Sequence, residues 1–200
     1  DGMDTAYKVV LSSCKGFGIL ANIQDIDIYG IRHISAKDIA YACKHGYVCK
    51  LIGSGVKSHS SVSGTVIPTF IPKQNIFATI PANFNAIESD SKTLGKMTYV
   101  GQGAGSYPTA HAVVQDLIDL VLHQDTEVSF GVSVCVDNKS RVSSFYVRSV
   151  NLNRMEEVIE ERIDEDTCIT KRISFVELAS VMKTLEDDAV FVAEVMHDCK

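Results

Sequence analysis

Residues 99–117 read YVGQGAGSYPTAHAVVQDL, and the fold turns on how this stretch is understood. Gly101, Gly103 and Gly105 alternate ahead of Pro108 and an apolar run with helical spacing. The pattern predicts a strand through "MTYV", a tight turn, and a helix from about Thr109 to Leu122. Glycine-rich turns that open a helix hold anions well, because exposed N–H groups and the helix dipole both favour negative charge. A dinucleotide fingerprint needs G-x-G-x-x-G and a later acid at a strand end. Here its third glycine position is Ser106, and the next strand candidate carries no such acid. Pro108 suits the first turn of a helix, where its missing N–H costs nothing. Two readings stay open: a close-packed strand-to-helix turn, or a turn whose backbone approaches a ligand.

Upstream, "DTAYKVVLSSCKGFG" predicts a helix from near Asp4 that stops by Gly16. "DIDIYGI" is a short strand candidate, and "SAKDIAYACKHG" is a helix with Ser35 and Asp38 as its capping box. "YVCKLIGSGVK" predicts a strand. "GTVIPTFIPKQNIFATI" contains Pro68 and Pro72, which predicts an edge strand and a following turn. "NFNAIESDSKTLGKMTYVG" predicts two short strands around a polar turn at Ser89–Ser91.

Downstream of a boundary at His123–Glu127, "VSFGVSVCV" and "SSFYVRSV" are β-rich and "NRMEEVIEERIDE" is a charged helix candidate. "TCITKRI" predicts a strand, "SFVELASVMKTL" a helix capped by Ser174 and Glu177, and "AVFVAEVM" a last strand. The fold class expected is α+β: a mixed sheet with helices on one face over residues 1–126, then a small α+β module over residues 127–200.

A chain of 200 residues can hold one sizeable domain, or one domain and a small appended module. Hydrophobic residues make up 46% and charged residues 22%, which places the chain among ordinary globular proteins. A formal net charge of −6 argues against nucleic acid as a partner. No apolar run reaches the length of a membrane-spanning helix. The six cysteines form no C-x-x-C pair, and the six histidines form no H-E-x-x-H cluster. A reduced, cytoplasmic state without a metal site is therefore expected. The chain starts at Asp1 with no signal-peptide pattern and is read as a fragment.

Taken whole, residues 99–117 resemble the G-x-G-A-G-x-x-P-T-A-x-A-V motif of the homoserine dehydrogenase family. "DGMDTAYKVVLSS" (1–13), followed by "FG", is similar to that family's G-x-D-x-x-x-K helix. "GIRHISAKDIAYACKHGYVCKLIG" (30–53) and "IPKQNIFATIPANFNAI" (71–87) resemble the segments between. Order and spacing agree over about residues 1–122.

The resemblance implies NAD- or NADP-dependent interconversion of L-homoserine and aspartate 4-semialdehyde, in amino-acid biosynthesis, by a homodimer. Residue by residue, Asp4 falls on the family's substrate-contacting aspartate and Lys8 on its catalytic lysine. Gly103, Ala104 and Gly105 fall on a cofactor-adjacent turn. Asp4 and Lys8 stand at i and i+4, so they project from one helix face. Read from the residues alone, they are equally an exposed ion pair contributing about 0.3–0.5 kcal/mol.

The family's nucleotide-binding domain, a substrate-contacting glutamate and a metal site near that junction fall outside these residues, so this chain alone is expected to be inactive. Residues 127–200 occupy the place of an ACT regulatory domain, with "NLNRMEE" replacing the usual Pro-Gly turn and one strand fewer than a full βαββαβ unit. A non-catalytic amino-acid-binding or dimerisation module derived from the enzyme is the alternative function.

Overall fold

The computed structural model describes residues 1–59, 61–122 and 135–197. Helix α1 (Met3–Phe17) runs through Gly16 and ends at Gly18, whose φ of 64° is the left-handed closure that glycine favours. A short 3-10 turn leads into β1 (Ile26–Ile28). Helix α2 (Ala36–Lys44) starts at the expected capping box, with the Ser35 side chain accepting from the Asp38 N–H and the Asp38 carboxylate accepting from the Ser35 N–H. Strands β2 (Tyr47–Lys57) and β3 (Ser61–Pro72) pair antiparallel along their lengths, from Tyr47 opposite Pro72 to Lys57 opposite Val62.

Next come β4 (Phe84–Ser91), β5 (Gly95–Gln102) and α3 (Ser106–Val121). The later segment supplies β6 (Cys135–Val136), β7 (Val142–Arg148), β8 (Ile159–Arg162), β9 (Thr167–Thr170), β10 (Ile173–Ser174), α4 (Phe175–Leu185) and β11 (Phe191–Val195). Of the strand expected in "VSFGVSVCV" only its end is described, as β6. The boundary between 126 and 127 likewise lies outside the described residues.

The chain gathers into two compact units, Asp1–Lys73 with Ser129–Lys200, and Gln74–Val128. The first is built on a mixed nine-stranded sheet in which β3 is central. On one side β3 pairs with β2; on the other it meets β6, then β1, then β11, all three parallel to it. The expected edge position of the proline-bearing strand is thus corrected. The reason lies in where the prolines fall. Tyr29 donates to the Val66 carbonyl at 2.7 Å and Met196 to the Phe70 carbonyl at 3.0 Å, so even-numbered residues direct their peptide groups to that second side. Pro68 faces it between the end of β1 and the start of β11, where no ladder bond is lost.

Alternation along β3 divides the core. Val66 packs with Ala6 and Val9 of α1 and Ile26 of β1; Phe70 packs with Ala42 of α2, Tyr146, Phe191 and Ala193. Both lie on one face, so the helices preceding β3 share a side, as expected. Ile67 points the other way, into a cluster with Phe145, Val147, Val192 and the α4 residues Phe175, Leu178 and Leu185. Helix α1 approaches β2 closely because Gly53 and Gly55 face it: a Cβ at either would sit 2.5 Å from Val9 Cγ2 or Ser13 Oγ.

Within the later segment the order β11-β7-β9-β8, with every neighbour antiparallel, is the four-strand order of a split βαββαβ unit, with a 3-10 segment where the first helix would stand. The strand expected to be missing is β8, which lies inside the stretch expected to be a charged helix. Leu152–Val158 forms only a 3-10 segment, broken by non-helical backbone at Met155, and the chain then extends. Leu152 and Met155 are buried while the acids point outward, so burial of two anchors replaces a helical stripe.

The second unit holds the β4–β5 hairpin, paired from Phe84–Gln102 to Ser91–Gly95, and helix α3. No residue of α3 is buried, and Val113, Val114, Leu117, Ile118, Leu120 and Val121 are all exposed. A helix apolar on several sides ordinarily has neighbours over them.

Candidate active site

Two groups of site residues are held by different devices. On α1, Ala6, Val9, Ser13 and Cys14 are buried, which turns Asp4 and Lys8 to the opposite, open side. Lys8 Nζ lies 2.8 Å from the Asp4 carboxylate, with the two side chains 55% and 83% exposed. Helix geometry alone brings them together, and solvent access leaves the lysine able to meet a small polar substrate.

The N-terminus of α1 is tied to the loop before α2. Arg32 NH2 bonds the Asp1 carboxylate at 2.6 Å, and a side chain at Gly30 would press on the Asp1 backbone at 3.0 Å. That loop is fixed in turn by Arg148 of β7, which donates to the His33 carbonyl at 2.7 Å and to Asp38 from Nε at 2.9 Å. Asp38 is wholly buried, and accepts as well from Tyr146 Oη at 2.8 Å and from the Ser35 N–H and hydroxyl at 2.7 Å each. Burial alone would raise its carboxyl pKa. The Arg148 and Ser35 hydrogen bonds outweigh that and hold it below the usual carboxylate value. The sequence shows Asp38 only as part of a capping box; its partners Tyr146 and Arg148 lie about a hundred positions away.

In the second unit the strand β5 ends at Gln102, and Gly103–Ala104–Gly105 turns the chain into α3. Gly103 N–H donates to the Asn83 carbonyl at 2.9 Å, and Asn83 Nδ2 donates to the Ala104 carbonyl at 3.0 Å. Gly105 has φ of 124°, which only glycine adopts freely, and Thr109 closes the first helical turn on its carbonyl. Helix α3 has no side-chain cap among the described residues. An uncapped sixteen-residue helix behind a turn free of bulky side chains suits close approach of a phosphate-bearing cofactor. The close-packed reading of the glycines holds at Gly103, where a Cβ would run into the Asn85 side chain. Asn83 went unnoticed in sequence because a lone asparagine before a strand carries no signal of its own.

The mixed sheet unit carries the Asp4–Lys8 pair on α1, and the β4–β5 hairpin with α3 carries the glycine turn. The chain belongs to the homoserine dehydrogenase family, whose model matches residues 1–118. It is 37% identical over 125 residues to a homoserine dehydrogenase of Synechocystis sp., covering 60% of this chain and 29% of that one. It is 33% identical over 118 residues to that of Bacillus subtilis, covering 59% and 27%. Among solved structures, the Staphylococcus aureus homoserine dehydrogenase at pH 6.0 superposes with a TM-score of 0.68 at 26% identity, over 100% of this chain and 54% of that one. The fold also matches the Thiobacillus denitrificans homoserine dehydrogenase, with a TM-score of 0.76 over 98% of this chain and 53% of that one. The chain thus spans under a third of these curated relatives and about half of the solved ones. The structural likeness extends through β11, well past the family match.

Proposed function

We propose that this chain is the substrate-side part of a homoserine dehydrogenase that interconverts L-homoserine and aspartate 4-semialdehyde, with Lys8 as proton donor and acceptor. The carrying observation is the Asp4–Lys8 pair on the open side of α1, inside the family-matched stretch. NAD or NADP, when bound, supplies hydride transfer at the substrate carbon. As an aldehyde is reduced, negative charge grows on its oxygen, and the Lys8 ammonium stabilises that charge and delivers the proton. In oxidation the neutral amine takes the hydroxyl proton. Asp4 orients Lys8 and offers its remaining oxygen to the amino group of the substrate.

Gly103, Ala104 and Gly105 fit the cofactor-side role, since they put backbone and no bulky side chain at the head of α3. The exposed apolar sides of α3 support a further layer of the enzyme covering this unit. A homodimer is part of the same reading, as the family resemblance implies, with β2 laid along β3 at the margin of the described sheet. For residues 127–200 a structural role is favoured over amino-acid binding, because β11 is a ladder neighbour of β3. A cytoplasmic enzyme accords with the five free cysteines among the described residues.

The test is to follow NADH or NADPH absorbance while the parent protein is offered homoserine. Homoserine-dependent reduction of either cofactor is the expected result; none with either would end this reading.

A further inference from the structure

We propose that Asn83, with Asn85 beside it, is a positioning residue that fixes the Gly103–Gly105 turn in the shape the cofactor meets; this rests on the dehydrogenase reading above. The β4–β5 ladder reaches its last pairs at Asn85–Gly101 and Phe84–Gln102. Beyond it the strands would fray, and a run of glycines has nothing of its own to hold it. Asn83 extends the pairing by one step. Its carbonyl accepts from Gly103 N–H at 2.9 Å, and its side-chain amide reaches the Ala104 carbonyl at 3.0 Å. From one residue the two bonds hold the Gln102–Gly103 and Ala104–Gly105 peptides, which flank the Gly103–Ala104 peptide on either side.

Asn85 supplies the floor. A Cβ at Gly103 would run into its side chain, so the turn lies directly on that amide. Pinning the Ala104 carbonyl to Asn83 also sets which way the neighbouring peptide units face, and so the direction of the backbone at the head of α3. The shape matters because a displacement of about 1 Å in a positioning group can lower a rate about 100-fold. Both asparagines are exposed, so their bonds secure a local shape and not the core of the unit.

The proposal differs from the dehydrogenase reading itself in what it moves. Lys8 acts on proton transfer; Asn83 acts on how the cofactor sits. In the parent protein, Asn83→Ala is expected to raise the Kd of NAD(P)H, read by calorimetry, about 10-fold. KM for the nucleotide should rise alike, and KM for homoserine should stay within 2-fold. Asn83→Asp, which keeps the size but turns a donor into a carboxylate facing a carbonyl, should be worse than Ala. Asn83→Gln, which keeps the amide, should recover part of the loss. An unchanged urea midpoint for each variant is expected from the exposure of the side chain.

Nucleotide affinity within 2-fold of the wild type for both Ala and Asp would overturn the proposal, as would equal rises in both KM values. If the parent protein binds NAD(P)H but does not oxidise homoserine, the dehydrogenase reading fails while the affinity series still decides the role of Asn83. If it binds neither nucleotide, both fall.

Discussion

Replacing Asp38 with alanine removes the carboxylate on which Arg148, Tyr146 and Ser35 converge. Taking one partner from a buried ion pair costs about 3–5 kcal/mol, because the other charge is left without compensation. Arg148 would keep its bond to the His33 carbonyl at 2.7 Å, and its side chain is 16% exposed, so part of its charge stays solvated. Ser35 keeps its cap bond to the residue-38 N–H, but the Ser35 N–H and hydroxyl and Tyr146 Oη all lose the Asp38 carboxylate as acceptor. These losses overlap, and a total of about 3–4 kcal/mol follows.

The assay is urea unfolding of the 200-residue chain, alone and with Arg148→Met in a double-mutant cycle. The double variant should be more stable than the two single losses added together, by at least about 1.5 kcal/mol. The pH dependence has a definite sign. The folded pKa of Asp38 is depressed, so its contribution is whole above the ordinary aspartate value of about 3.9 and fades as pH falls through the folded value. Wild type and variant should therefore converge only in strong acid. A loss under about 1 kcal/mol at pH 7, or strict additivity with Arg148→Met, would refute the reasoning and with it the view that β7 and α2 are clamped together.

Asp27 presents the opposite electrostatics. Its Oδ2 is buried with no hydrogen-bond partner among the described residues, and burial raises its pKa despite the Asn138 hydrogen bond. A raised carboxyl favours the protonated folded state, so the charge destabilises at neutral pH. Asp27→Asn should gain up to about 1 kcal/mol at pH 7, the low end because the residue is partly solvated, and the gain should vanish near pH 3 in thermal melts. A loss at pH 7 would contradict this. The proposed homodimer should appear in light scattering of the parent protein as twice the protomer mass. Monomer alone at high concentration would count against the homodimer.

The parts legible in the sequence are those whose determinants are local. Ser35 and Asp38 announced α2, Ser174 and Glu177 announced α4, and the polar stretch after "NAIES" announced the hairpin, although Ser89–Ser91, expected as its turn, pair within β4 and the turn falls at 92–94. The resemblance placed Asp4, Lys8 and the glycine turn on their elements before any coordinates. What was not legible depends on distant partners. Pro68 argued for an edge until β1 and β11 were seen to leave it a gap. The acids of 156–161 spoke for a helix, but Leu152, Met155 and the β9 edge claimed the backbone for other uses. The union of the first and last segments in one sheet had no trace in local pattern, since parallel pairing of β3 with β11 joins residues more than a hundred positions apart.

The role of Lys8 decides between a dehydrogenase and a surface ion pair. The direct measurement is kcat for homoserine oxidation by the parent protein with Lys8→Met, at saturating homoserine and cofactor. Loss of general acid–base catalysis should lower kcat by about 100- to 10,000-fold, with the urea midpoint almost unmoved because an exposed pair contributes about 0.5 kcal/mol. A kcat within about 3-fold of the wild type would show that Lys8 only pairs with Asp4.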